Sequence, residues 1–366
     1  MKRRTLLSQT GLALGTTAGL VACTKKTGVS TAQNSSLPKL RWRMVTSWPK
    51  SLETIFGEAE NFCRRVGEMT GGNFTITAYA AGEIVPGLEV LDAVQNGTVE
   101  CGHTASYYYI GKNAALGFAC AMPFGLTAQQ QNAWLYYGGG LEAIQKVYSD
   151  FNIINFPAGN TGAQMGGWFK QPINNLTDLK GLKMRIPGQG GQVMAELGVN
   201  VQVLPGSEIF IALDRGTIDA AEWVGPFDDE KLGLNKAAKY YYYPGWWEPG
   251  PTLDLLINKA MWAKLPKEYQ AIIMTAAREA NLNMLAQYDR LNAQSLQKLV
   301  SGGTQLQAYS PEILQAAQKA SQALLESNAS KDATFKAVYE PWQAFRQQIR
   351  AWNRINELSY ANFVER

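Results

Sequence analysis

Two octapeptides about 120 residues apart restrict this chain more than any other feature: AVQNGTVE at 93–100 and ALDRGTID at 212–219. In each, an apolar helix end meets a Gly-Thr turn, then a β-branched residue, an acid and the start of a strand. A helix–turn–strand unit used twice predicts two similar α/β lobes, each delivering a strand into a shared crevice, where open α/β sheets collect their ligands. Superposing the copies sets His103 opposite Glu222.

The flanking sequence supports an α/β layer fold. From Leu40, RWRMVTSW reads as a first strand, and Ile55, Ala59, Phe62, Val66 and Met69 lie at helical spacing. GGNFTITAYA is a turn and a strand, Val85 to Gln95 a helix closed at Gly97, and VECGHTASYYY a buried strand running into a loop. Further on, GNTGAQMGGWF is a Gly-rich strand-like run, and NNLTDLKGLKMRIPG a short helix or turn followed by a strand carrying Arg185. Gly188 to Leu197 opens a helix whose amides form a general anion site, without the glycine spacing of a phosphate loop. LDLLINKAMW predicts a strand. Pro266 opens a helix reaching about Lys298, and Pro311–Ser327 and Phe335–Phe363 continue as amphipathic helices. Such a helical tail braces a domain or packs in a dimer.

The N-terminus carries an address. Basic KRR precedes a moderately apolar run from Leu12 to Ala22, too short and too rich in Gly and Thr for a membrane span, so residues 1–22 read as a signal peptide. RRTLL resembles a twin-arginine signal. LVAC at 20–23 resembles a lipobox, in which Cys23 is lipidated and 23–38 is a polar tether, a plain cleaved signal being the alternative. Without Lys2, Arg3 and Arg4 the formal +4 falls to about +1, which leaves no electrostatic footprint for nucleic acid. Cys63, Cys101 and Cys120 match no zinc spacing; a Cys101–Cys120 disulfide and three buried thiols are both open.

The chemistry concentrates in residues 212–251, where Glu222 and Glu248 lie isolated among tryptophans, tyrosines, glycines and prolines. Apolar aromatic walls with a few fixed polar groups suit a small-ligand pocket; an aromatic core segment is the plain alternative. One histidine, no GxSxG elbow, no Walker loop, no HExxH and no Cys/His cluster narrow the field, and carboxylate acid/base chemistry stays open for an enzyme, such as an exported lyase or glycosidase using Glu222 and Glu248. Solute capture is the more economical reading, with a sensor or structural lipoprotein as a third.

The runs GNTGAQMGGW (159–168), GLKMRIPG (181–188), ALDRGTIDAAEWVGP (212–226), YYYYPGWWEPGP (240–251) and VECGHTASYYYIGKNAALGFACAMPFGL (99–126) resemble the DctP-type substrate-binding proteins of tripartite ATP-independent periplasmic (TRAP) transporters, in particular the subgroup binding 2-oxo acids such as pyruvate, with lactate-binding relatives. The resemblance runs from about Leu40 into the C-terminal helices. It implies a two-lobed, periplasmic-binding-protein-like α/β fold with a hinge, divided as 39–158 with 252–290 (first lobe), 159–251 (second lobe) and 291–366 (C-terminal helices). It also implies a periplasmic, non-enzymatic role beside a membrane permease, with a homodimer through the C-terminal helices as a further expectation.

Residue by residue, the resemblance makes Arg185 the grip on the ligand carboxylate, a planar fork of donors matched to two oxygens. It makes Gln164, Glu222, the Trp223 carbonyl and Glu248 the ligands of a cation beside the substrate. All-oxygen donors suit a hard ion, Na⁺ or Ca²⁺. Two acids and a bound carboxylate against one arginine are expensive in a closed cleft, which independently asks for a cation. Trp223 would wall the pocket, with Asn160, Tyr107, Tyr108 and Phe227 as further lining; His103 reads as a hydrogen-bonded cleft-edge residue. Relatives that bind polyols such as mannitol, or other organic acids, are the alternative on the same fold.

Overall fold

The computed structural model describes residues 37–365. The signal-peptide and Cys23 readings lie outside them. Among the described residues no helix is long and apolar enough to cross a membrane.

Among the described residues eleven strands form two sheets. In chain order they are β1 (Leu40–Thr46), β2 (Phe74–Tyr79), β3 (Cys101–Thr104), β4 (Ile153–Asn160), β5 (Trp168–Phe169), β6 (Lys183–Arg185), β7 (Asn200–Gln202), β8 (Ala220–Ala221), β9 (Tyr240–Tyr243), β10 (Thr252–Asn258) and β11 (Gln305–Ala308). The first sheet has the order β2-β1-β3-β10-β4 and the second β11-β9-β5-β8-β6-β7. β1 pairs in parallel with β2 and β3, whereas β10 runs antiparallel to both β3 and β4. All seven residues of β10 are buried, as an interior strand covered on both faces requires. In the second sheet β6 is parallel to β7 and β8, and β5 is antiparallel to β8 and β9.

The chain passes between the sheets at two loop crossings, after β4 and after β9, and a third time after β10. The helix Lys267–Ser301, 35 residues and about 52 Å long, packs on β4, on the helix Ile55–Met69 and on the helix Pro226–Leu232, and its Met284, Tyr288 and Leu299 share a core cluster with Trp168, Ala221 and Tyr241 of the second sheet, so it braces both sheets. Gly245 lets the two crossings touch. A Cβ there would lie 2.5 Å from the Gln164 carbonyl oxygen and 2.6 Å from that of Met165.

The structure corrects several element boundaries. The helix expected over Val85–Gln95 starts only at Val90, because Pro86 biases Val85 away from helical dihedrals and a Pro86–Glu89 turn precedes it. The strand expected through Trp262 ends at Asn258, whose side chain accepts the amides of Ala260 (3.1 Å) and Met261 (3.3 Å) and so starts the helix Lys259–Lys264. The tail is not purely helical: Gln305–Ala308 forms β11, parallel to β9, its exposed QLQA pattern giving no burial signal. The helix Pro311–Lys331 then packs on the helix Gly188–Glu196, and Ala333–Ile355 on the helix Gly140–Ser149. Cys63, Cys101 and Cys120 are buried free thiols, so the Cys101–Cys120 disulfide does not form.

Candidate functional site

The site is built where strand ends and crossings meet. Arg185 closes β6 and Glu222 follows β8, its parallel neighbour, so both side chains start from the carboxyl ends of adjacent strands. The Glu222 amide donates to the Arg185 carbonyl at 3.2 Å. The guanidinium is held from three sides: Nε donates to the Leu204 carbonyl (3.1 Å), Nη1 to the Glu222 carbonyl (2.8 Å), and Nη1 also pairs with Glu222 Oε1. Its carbon lies 5.2 Å from the Trp223 ring centroid, a cation–π contact. Both members of the ion pair are about 1% exposed.

Gln164 and Glu248 come from the crossings. The Gln164 amide donates to the Glu248 carbonyl (3.1 Å), the Gly245 amide to the Gln164 carbonyl (3.0 Å), and the Met165 amide to the Val224 carbonyl (3.1 Å). This backbone lattice brings residue 164 beside 222–224 and 248. Gln164 Nε2 donates to Thr161 Oγ1 at 3.2 Å.

Four buried polar atoms here have no protein partner: Gln164 Oε1, Glu222 Oε2, Glu248 Oε2 and Arg185 Nη2. Orphaned buried groups are costly and uncommon, so three acceptors and one donor from four neighbouring residues mark a ligand site. Burial pushes both carboxyls up from the usual range, Glu248 further raised by Glu222, while Arg185 pulls each down. Two acids facing one arginine leave the interior short of positive charge. Three oxygens of carboxylate and amide type fit a hard cation, and the spare guanidinium N–H fits an anion beside it. Among the described residues no group of three His, Cys, Asp or Glu side chains assembles, so a cation here needs further oxygens from the backbone or from its co-ligand.

The opposite wall comes from the first sheet. A cavity of about 10 Å³, the least that holds one water, is lined by Trp48, Ile55, Tyr107, Tyr108, Thr161, Gln164, Trp223, Val224 and Leu253. Tyr107 and Tyr108 contact edge-to-face at 4.9 Å, and burial raises both hydroxyls. Trp48 was missed from sequence; its signal is position, two residues beyond β1 as Trp223 lies two residues beyond β8. Two expected lining residues, Asn160 and Phe227, are not among those lining this cavity. Asn160 spends its amide on the crossing, donating to the Gly250 carbonyl and Thr252 Oγ1 (both 3.2 Å) and accepting from the Gly162 amide (2.8 Å). Phe227, in the first turn of Pro226–Leu232, faces Lys231 (5.5 Å) and a surface depression shared with Gln294 and Lys298. His103 is buried in β3, accepting from Trp48 Nε1 at 2.7 Å, and burial lowers its pKa to about 4.

Comparison with known proteins bears on this geometry. The family profile described as bacterial extracellular solute-binding protein, family 7 (DctP), matches residues 44–332. The monocarboxylate 2-oxoacid-binding periplasmic protein of Nostoc sp. (strain PCC 7120) is 69% identical over 364 residues, covering 100% of this chain and 99% of the relative. A TRAP transporter solute-binding protein from Bordetella bronchiseptica RB50 superposes with a TM-score of 0.88 at 48% identity over 89% of this chain and 97% of its own; it is described as a mixed-occupancy dimer with copurified calcium and picolinate in one active site and an apo site in the other. A TRAP periplasmic solute-binding protein from Pseudoalteromonas atlantica T6c, solved with sodium and pyruvate, gives 0.86 at 38% identity over 88% and 99%. With the profile spanning most of its length and these likenesses end to end, the chain belongs to the DctP family of bacterial extracellular solute-binding proteins.

Proposed function

We propose that this chain is the ligand-capturing subunit of a TRAP transporter, holding a small monocarboxylate, a 2-oxo acid such as pyruvate or the corresponding hydroxy acid, together with a hard cation. The observation that carries this reading is the convergence of the unpartnered Gln164, Glu222 and Glu248 oxygens with the unpartnered Arg185 Nη2. Arg185 grips the carboxylate. Gln164, Glu222, the Trp223 carbonyl and Glu248 hold Ca²⁺ or Na⁺, and the acid's own oxygens complete the shell. Trp48, Tyr107, Tyr108 and Trp223 exclude water. The cation offsets the second acid, which Arg185 alone leaves uncompensated.

Capture works by closure of two lobes, built on the two sheets, about the crossings that carry Gln164 and Glu248. The ligand bridges both walls and shifts the open–closed population. The closed form is then presented to the membrane permease; no bond is made or broken. Export by the twin-arginine route and an anchor at Cys23 belong to the same reading. So does a homodimer through the C-terminal helices, where Trp352 (58%), Ile355 (71%), Tyr360 (69%) and Phe363 (76%) are exposed.

The test is a thermal-shift and calorimetric panel of pyruvate, lactate and mannitol, each with Ca²⁺, Na⁺ or chelator. At 100 times Kd a ligand adds about 2.7 kcal/mol. Pyruvate or lactate should stabilise the protein, and chelation with Na⁺ removed should abolish the shift. A response to mannitol alone would overturn the acid assignment, and turnover of a stabilising ligand would overturn the non-enzymatic one.

A further inference from the structure

Two tryptophans meet across the pocket. Trp48, after β1, and Trp223, after β8, lie edge to face with ring centroids 6.4 Å apart at 77°. Both are buried, and both line the cavity beside Gln164. Such pairs prefer this geometry, so the contact rewards one relative orientation of the two walls.

Each indole N–H is held by a buried polar group of its own side. Trp48 Nε1 donates to His103 Nδ1 at 2.7 Å, and His103 Nε2 lies 3.2 Å from the Ala158 carbonyl. A ring that accepts at Nδ1 must carry its proton at Nε2, so the neutral Nε2–H tautomer satisfies both contacts. Trp223 Nε1 donates to Asp228 Oδ2 at 3.3 Å, and the same oxygen accepts the Tyr288 hydroxyl at 2.7 Å from the long helix Lys267–Ser301. An indole is a donor only, and a buried one without an acceptor is costly, so each acceptor selects one ring orientation.

We propose that His103 and Asp228 are positioning residues that pre-orient Trp48 and Trp223, so that the walls close edge to face over the ligand and hold it in. The histidine sets one ring from the first sheet. The aspartate sets the other from the helix Pro226–Leu232 and ties it, through Tyr288, to the helix that braces both sheets. The two residues act through the tryptophans and touch no ligand. Loss of either anchor therefore acts mainly on escape, because the ring rotates in the closed state, rather than on encounter.

The inference rests on the acid-binding reading, and its test separates the two. Wild type, His103→Leu, His103→Asn, Asp228→Ala and Asp228→Asn are compared, the asparagines keeping an oxygen acceptor for the indole. With calcium present, pyruvate release should quicken about five- to fifty-fold in His103→Leu and Asp228→Ala, with association changed less than about two-fold. Both asparagine variants should stay near wild type. Unchanged release in the deletion variants, or equal impairment in the asparagine variants, overturns the proposal. If no acid binds wild type, the ligand reading fails but this one is still read. In ligand-free protein carrying fluorotryptophan, His103→Leu must shift or broaden the Trp48 resonance and Asp228→Ala that of Trp223; unmoved resonances overturn it.

Discussion

Replacing Arg185 separates fold from function in a way the structure makes quantitative. The guanidinium is about 1% exposed and pairs with an equally buried Glu222, whose charge in turn raises the pKa of Glu248. Arg185→Met therefore leaves a buried carboxylate without its counter-charge, a loss of about 3–5 kcal/mol. For roughly 330 described residues the unfolding entropy near the midpoint is about 0.7 kcal/mol per degree, so Tm should fall by about 4–7 °C. Arg185→Ala is thus no clean binding mutant. Two companions isolate the binding role. Arg185→Met with Glu222→Gln removes both charges, so Tm should recover most of the loss while pyruvate binding stays abolished. Arg185→Lys keeps the charge but loses the planar fork, and a charge-assisted hydrogen bond of about 1.5–3 kcal/mol predicts a 10- to 150-fold weaker Kd. Differential scanning calorimetry and titration calorimetry read the two effects. A double variant as unstable as the single one would refute the charge argument, and undiminished affinity in Arg185→Lys would refute the carboxylate grip.

Three further outcomes follow from neighbouring residues. Gly245→Ala places a methyl against the Gln164 and Met165 carbonyls, so a loss of about 1–3 kcal/mol in thermal unfolding and at least about ten-fold weaker calcium binding are expected; unchanged calcium binding would show that the crossings do not place Gln164. Glu248→Gln should raise the Tm of cation-free protein, by removing a buried charge, yet weaken calcium about 10- to 100-fold in titration calorimetry; a lower Tm would mean the carboxylate is compensated without a cation. Asp254, held by Tyr148 (2.9 Å) and Asn155 (2.8 Å), is pushed up to about 7 by burial, so the folded chain keeps a proton that the unfolded chain releases near pH 4. Its stabilising contribution is complete below about pH 4 and is lost as pH rises towards 7. Asp254→Asn escapes that loss, with Asn155 free to turn its unpartnered Oδ1 to the new amide, and should raise Tm at pH 8 by up to about 6 °C but hardly at pH 4; equal effects at both would refute the buried-acid argument.

Much of the site was legible because its residues sit next to strong punctuation. Glu222 and Arg185 lie at the ends of short strands bounded by Gly and Pro, and the repeat at 93–100 and 212–219 pointed to two strand-bearing units. The directions that Asn160 and Phe227 take were not legible because local sequence reports residue type, not direction: a crossing makes its own hydrogen bonds, and Phe227 borders a surface depression. Trp48 was illegible for the converse reason, since a tryptophan after a strand reads as core until the opposite wall is in place. β11 escaped because an edge strand of exposed polar residues carries no period-two burial pattern. The Asn258 cap was present in the sequence, hidden inside an apolar run.

The interleaving of the strands has a consequence for how the chain is made. β10 lies between β3 and β4, yet it is encoded after nearly all of the second sheet, and the second sheet's edge strand β11 is encoded later still. During synthesis the first sheet has a gap at its interior until residue 258 has emerged, and the second lacks its border until residue 308. Neither half is a foldable fragment, because each depends on chain that the other half separates from it. Nascent intermediates must therefore keep unpaired strand edges shielded for most of translation, and loop closures this long slow the final docking. The same threading means that a cut between β4 and β5 leaves two pieces that regain structure only together.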